Sequence, residues 1–226
     1  MIFWERLLNK QFRAWQLMRQ LRRTSLSAKL HPCITVSRET GSGGREIAQK
    51  VAKTLEMNYY DKELVDLVAK TAKKRRQLIK ALDERTQDGI ATIVNSFLGF
   101  ESLPEGAYIK SLIRLVLGIA ACHSAVIVGR GANFILPKKT ILRVRVIAPL
   151  AVRINYTRAH HQNESDEELI EKMKRVHQDR KGFVKKYFNK NISNANYYDL
   201  VVNTEDCSIS QASEIIVATY RSRFRV

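Results

Sequence analysis

The glycine-rich junction at residues 33–55 constrains this chain more than any other segment: the apolar run CITVS (33–37), then RETGSGG, then the helical stretch from Arg45 to Leu55. A short apolar run entered after His31-Pro32 reads as a buried strand. A strand that turns through Gly41, Gly43 and Gly44 straight into a helix points backbone N–H groups at one spot, at the positive end of the helix dipole. Such a junction cradles an anion. Its plainer reading is a glycine turn that caps a helix, with a salt bridge beside it. Against the phosphate-loop pattern G-x-x-x-x-G-K-[ST], Gly44 takes the second glycine and Glu39 replaces the first. Arg45 stands where the lysine belongs, and Glu46 where the Ser/Thr belongs. The chemistry survives these changes, because arginine is a permanent forked cation and a carboxylate at Glu46 can reach Mg²⁺ directly.

The rest of the chain alternates strands and helices. A second short strand ends at Tyr60, AVIVG (125–129) and ILRVRVIA (141–148) are strand-like, and DLVVN (199–203) is the last strand. Residues 62–122 carry helical periodicity, interrupted near Gly99 to Gly106. Ser165 with Glu168, and Ser208 with Gln211, are capping boxes that open two further helices. Alternation of this kind predicts an α/β fold with a mostly parallel sheet and ligands at the strands' carboxyl ends.

Composition narrows the class. The 226 residues are 45% hydrophobic and 27% charged, which excludes wholesale disorder. Thirty-nine Lys+Arg against 22 Asp+Glu give a net charge of +17, a surface that attracts phosphate. The excess is concentrated in residues 1–30, 70–85, 137–160, 172–190 and the final RSRFRV, and the rest of the chain is acidic overall. This pattern suits phosphate-facing segments, or simply solvated helix faces, better than a uniform nucleic-acid coat. No aromatic RNP pattern or C₂H₂ spacing appears, so sequence-specific nucleic-acid binding is not expected. Three cysteines without a C-x-x-C pair fit a reducing, cytoplasmic setting rather than a disulfide framework or zinc site. His160-His161 lack metal-ligand spacing.

Five segments, ITVSRETGSGGREIA (34–48), NYYDKELV (58–65), VIVGRGANFIL (126–136), HQDRKGF (177–183) and YYDLVVNT (197–204), occur in an order and spacing that resembles the cytidylate kinase-like family. The similarity runs from about Cys33 to Tyr220. It implies a P-loop NTPase-type, five-stranded parallel sheet sandwiched by helices, a helical arm that binds a nucleoside monophosphate, and a basic lid. It also implies ATP-dependent phosphoryl transfer to CMP, dCMP or a similar acceptor.

Residue by residue, Gly41, Ser42, Gly43, Gly44, Arg45 and Glu46 match the ATP phosphate loop, with Glu46 as the Mg²⁺ ligand. Asp61 matches an acid on the acceptor side, Arg130 an arginine that contacts the acceptor, and Arg180 a second such arginine near the lid. Arg153 and Arg158 fall where lid arginines begin. Asn203 and Thr204 fall where the adenine rests. The resemblance also has departures: Gly131 stands where true cytidylate kinases carry aspartate, Leu67 where they carry arginine, and His177 where they carry aspartate. The triphosphate side is therefore matched more fully than the cytosine-reading side.

Phosphoryl transfer is mainly electrostatic, and a monophosphate acceptor is already ionised, so no general base is needed. Catalytic cations are then Arg45, Arg153, Arg158 and Arg180. Asp61 reads equally as a helix N-cap before Lys62. A nucleotide-binding regulatory or scaffold protein without kinase activity is the alternative to an enzyme. Residues 1–30 stand apart from the domain at 31–226. Trp4, Leu8, Phe12, Trp15 and Met18 form one face of a basic helix over 2–23, suited to packing on the domain, to a homo-oligomer contact or to an anionic membrane surface.

Overall fold

The computed structural model describes residues 30–63, 65–66, 82–95, 106–159 and 164–225. The basic helix expected over 2–23, Lys70 to Lys80, and His160-His161 lie outside the described residues. The chain divides into two compact units.

The larger unit takes in residues 32–62, 125–134 and 141–226. Its strands are β1 (Cys33–Arg38), β2 (Asn58–Tyr60), β3 (Ala125–Val128), β4 (Ile141–Ile147) and β5 (Leu200–Asn203). All pairings are parallel, in the spatial order β2-β3-β1-β4-β5. Parallel strands present every carboxyl end at the same edge, so the residues after β1, β2, β3, β4 and β5 gather there. The α/β fold expected from the alternating pattern is the one observed, and each strand lies within a residue or two of its expected bounds.

Periodicity explains the packing. In β1, β3 and β4 alternate residues (Ile34, Val36, Val126, Val128, Leu142, Val144, Val146) point to one face. Helix α1 (Gly44–Thr54) lays Ile47, Ala48, Val51 and Ala52 on that face, beside Ala212, Ile216, Val217 and Tyr220 from the last helix of the chain. Burial of such residues stabilises by roughly 1.5–3 kcal/mol each, measured against an exposed side chain. The opposite face of β4 is unusual, because it holds two buried arginines, Arg143 and Arg145.

The smaller unit takes in the described residues of 1–31, 63–124 and 135–140. It contains α2 (Glu84–Asn95) and α3 (Gly106–Cys122), helical as the periodicity predicts. Between them the two units also hold α4 (Ala132–Ile135), a single turn after β3. In the larger unit, α5 (Leu150–Arg158) follows β4, and α6 (Asp166–Phe188) and α7 (Ile209–Phe224) begin at the Ser165/Glu168 and Ser208/Gln211 capping boxes. None of the described helices is long and apolar enough to cross a membrane.

Candidate active site

The loop from Glu39 to Gly43 joins β1 to α1 at the carboxyl edge of the sheet. Gly43 caps α1 in a left-handed conformation, and no side chain caps the helix. The first helical amides therefore keep their N–H groups available by geometry. Among the described residues, the N–H groups of Thr40, Gly41, Ser42 and Gly43 have no acceptor either. Gly41 is required: its φ is +79°, and a Cβ there would lie 2.4 Å from the Arg153 carbonyl oxygen. Ser42 is buried, and its hydroxyl donates to the Glu39 carbonyl at 3.0 Å, closing the loop on itself. Thr204, just past β5, donates its hydroxyl to the Ser42 carbonyl at 3.0 Å.

A largely buried ion cluster lies against the loop. The Glu39 carboxylate faces Arg153 at 3.3 Å and Arg145 at 3.5 Å, and accepts from the Ala148 N–H at 3.3 Å. Arg145 is only 4% exposed; it also donates to the Ser37 hydroxyl at 3.0 Å and lies over the Tyr198 ring. Nearby His177 is shifted down, chiefly by burial; Glu39 opposes this, and the positive charges of Arg145, Arg153 and Lys181 add to it. It is therefore neutral near pH 7, unlike the aspartate that the family resemblance leads one to expect.

The cations fall in distinct places. Arg45, half exposed on the first turn of α1, reaches Asp61 beyond β2 at 2.7 Å. The loop-adjacent carboxylate Glu39 is occupied by Arg145 and Arg153, so Asp61 is the observed partner of Arg45. Glu46 accepts a hydrogen bond from Tyr156 of α5. Burial, then the Glu46 charge, push the Tyr156 hydroxyl upward, so it keeps its proton and remains the donor. Arg180 of α6 donates to the Arg38 carbonyl at 2.9 Å. Arg158 forms an exposed ion pair with Asp166. Asn203 uses its side-chain oxygen to accept from the Glu205 N–H at 3.2 Å.

At the end of β3, Arg130 sits between Gly129 and Gly131, and all three adopt positive φ. A left-handed arginine is uncommon, and such positions collect at functional sites. Its guanidinium stacks over the Phe183 ring at 5.1 Å. Gly131 has a steric reason: a Cβ there would meet the Phe188 ring at 2.3 Å. An aspartate at this place would have to displace that ring and hold a φ of +67°. The expected residues on the loop, Asp61, Arg130, Arg180, Asn203 and Thr204 thus lie at the same sheet edge or bond to it, and Arg158 is paired with Asp166.

Sequence reasoning missed Arg38, Arg145 and Tyr156. The ILRVRVI strand carried a signal for Arg145, since charged residues two apart on an otherwise apolar strand share a face and need buried acids. Cys33 is no nucleophile: burial pushes its thiol up to about 12. Among the described residues, no three His, Cys, Asp or Glu side chains group to hold a metal by themselves. A lone Glu46 carboxylate beside a phosphate cradle still fits Mg²⁺, which takes one or two carboxylates plus substrate phosphates.

A 2-3-1-4-5 parallel sheet with a glycine loop between its first strand and a helix defines a P-loop NTPase-type α/β protein. Residues 33–206 match the cytidylate kinase-like family, and the chain belongs to it. That membership supports a nucleotide kinase-like function. Among solved structures, an uncharacterized protein from Eubacterium ventriosum ATCC 27560 is 21% identical, with a TM-score of 0.59, over 85% of this chain and 99% of that one. TT1252 from Thermus thermophilus is 14% identical, with a TM-score of 0.50, over 85% of this chain and 97% of that one. At these identities the likeness shows the fold alone. No curated protein gives a significant match.

Proposed function

We propose that the protein transfers the γ-phosphoryl group of ATP to a nucleoside monophosphate of the CMP or dCMP kind. The observation that carries this reading is the glycine loop with acceptor-free amides, opening onto an uncapped helix, with the Glu39, Arg145 and Arg153 cluster against it. Donors fixed before the ligand arrives cost little reorganisation when charge develops on the moving group. The loop amides from Gly41 to Gly44 hold the ATP phosphates. Arg45 leaves Asp61 to bridge two phosphate oxygens, which its forked geometry allows. Mg²⁺, when bound, neutralises phosphate charge, with Glu46 as its protein ligand and Tyr156 orienting that carboxylate. Arg130 and Arg180, with Asp61, hold the acceptor. Arg153 and Arg158 are the lid cations of this reading, Arg153 leaving Glu39 and Arg158 leaving Asp166 once the nucleotide is bound, and Asn203 with Thr204 borders the adenine.

Arg45 carries the sharpest test. Arg45→Ala should abolish ATP binding or turnover, and Arg45→Lys should not restore full activity, because lysine cannot bridge two oxygens in the same plane. Glu46→Ala should mainly raise the Mg²⁺ requirement. Calorimetric ATP affinity with and without Mg²⁺, together with a coupled transfer assay across CMP, dCMP, UMP and AMP, measures each effect. Unchanged ATP affinity in Arg45→Ala would sink the reading. ATP binding without transfer to any acceptor would replace the enzyme with a nucleotide-binding regulator.

A further inference from the structure

Thr204, the first residue after β5, is bound both to the sheet and to the glycine loop. Its N–H donates to the Ile147 carbonyl at 2.9 Å, one step past the β4–β5 pair of Ile147 and Asn203. Its hydroxyl donates to the Ser42 carbonyl at 3.0 Å, with the Ile147 carbonyl further off at 3.3 Å. A carbonyl oxygen only accepts, so Thr204 is the donor, and its one proton favours the shorter contact. The sheet fixes Thr204, and Thr204 fixes the loop.

Ser42 is 2% exposed, and its hydroxyl donates inward to the Glu39 carbonyl at 3.0 Å. What this part of the loop offers an anion is therefore backbone. The described residues contain no cis peptide bond, so the Ser42 carbonyl and the Gly43 N–H point in opposite directions across one plane. Drawing that carbonyl toward the end of β5 turns the Gly43 N–H away from it, and no acceptor among the described residues takes that N–H. The same peptide is one that can turn over. Gly43 stands at φ +68°, and a glycine takes the opposite sign about as readily. A flip would put a carbonyl oxygen where the N–H now points, and an oxygen there repels phosphate.

We infer that Thr204 is a positioning residue for the phosphate cradle: its hydroxyl locks the Ser42–Gly43 peptide, so that the Gly43 N–H faces the donor phosphates before they arrive. This rests on the phosphate-loop reading and adds to it a residue 162 positions along the chain from Ser42. The role is distinct from bordering the adenine. A base contact is felt only by a ligand with a base, whereas a lock on the loop is felt by any polyphosphate.

Two probes separate those roles on the intact chain: ATP, and inorganic tripolyphosphate, which carries no base. Thr204→Val keeps the β-branched shape and removes the donor, and Thr204→Ser restores the donor. Calorimetry gives both affinities for wild type and each variant, with thermal unfolding as a check on folding. The expected result is a loss of about 3- to 12-fold for ATP and tripolyphosphate alike in Thr204→Val, the range of one neutral hydrogen bond, with most of both recovered in Thr204→Ser. Loss of ATP affinity with tripolyphosphate unchanged makes Thr204 a base contact and overturns the assignment. So does a change below about twofold for both ligands, or an equal loss in Thr204→Ser. These outcomes leave phosphoryl transfer standing. Wild type that takes ATP but no tripolyphosphate also overturns the assignment, because a cradle fixed in advance holds the anion alone. Wild type that binds neither overturns the phosphate-loop reading with it. If Thr204→Val fails to fold, Thr204→Ala is read in its place by the same criteria.

Discussion

Glu39 is the residue whose removal has the most calculable consequence. Its carboxylate is the shared partner of Arg145 and Arg153, whose side chains are 4% and 15% exposed, and of the Ala148 N–H. Arg153 already has its Nε buried without a hydrogen-bond partner among the described residues. Glu39→Ala would leave two guanidinium groups facing each other with no acid between them. Removing one partner of a buried pair costs about 3–5 kcal/mol. Glu39 keeps 19% of its side chain exposed, so water can reach part of the gap, and the low end, about 3 kcal/mol, applies. For a chain of this length about 2–4 °C of melting temperature follows each kcal/mol, giving a drop of about 6–12 °C. Denaturant titration and calorimetry of Glu39→Ala, Arg153→Ala and the double variant measure it. The pair should be coupled, the double variant losing less than the two singles together. A loss below about 1 kcal/mol in Glu39→Ala, or strict additivity, would refute the claim that this ion cluster holds the phosphate loop in place.

Two further outcomes follow from the same geometry. Burial pushes the Asp199 carboxyl up, but hydrogen bonds from the Arg143 side chain and backbone, with the charges of Arg143 and Arg223, outweigh it and hold the carboxyl below its ordinary range. A depressed acid adds stability above its unfolded pKa and loses it as pH falls through its folded value, so Asp199→Asn should destabilise at neutral pH and converge on wild type between about pH 5 and pH 2; a constant gap across that range would contradict the pairing. Gly131→Asp, which restores the residue typical of cytidylate kinases, should lose about 2–4 kcal/mol against the Phe188 ring without improving transfer to CMP, as read by denaturant titration and the coupled assay.

Much of this was legible from local chemistry. The five strands, the two capping boxes and the anion-ready loop each follow from contiguous residues, and parallel topology then collects the strand ends without further information. Arg130 was legible because it directly follows a buried strand. What could not be read locally was the choice of partner. Glu39 lies next to Arg38 and six residues from Arg45, yet it pairs with Arg145 and Arg153, more than 100 residues away, because β4 lies beside β1. Arg45 reaches Asp61 through the adjacency of α1 and β2, which sequence distance does not encode. Gly131 reads as a missing ligand in sequence and as the residue that leaves room for the ring once Phe188 is placed beside it.

The arginines at this edge do two different jobs. Arg145 and Arg153 are held by Glu39 and keep the loop open before any ligand arrives. Arg130 is held over the Phe183 ring and Arg180 by the Arg38 carbonyl, contacts that fix the geometry of both. A lysine would serve the first role poorly, since it cannot fork between Glu39 and Ser37, and the second worse, since it cannot stack on Phe183. The net charge of +17 acts over the whole surface but is screened within about 8 Å at physiological salt, so it draws anions in without choosing among them. In the proposed reaction, discrimination among anions would fall instead to arginines beside the strand ends, where the donor directions are fixed.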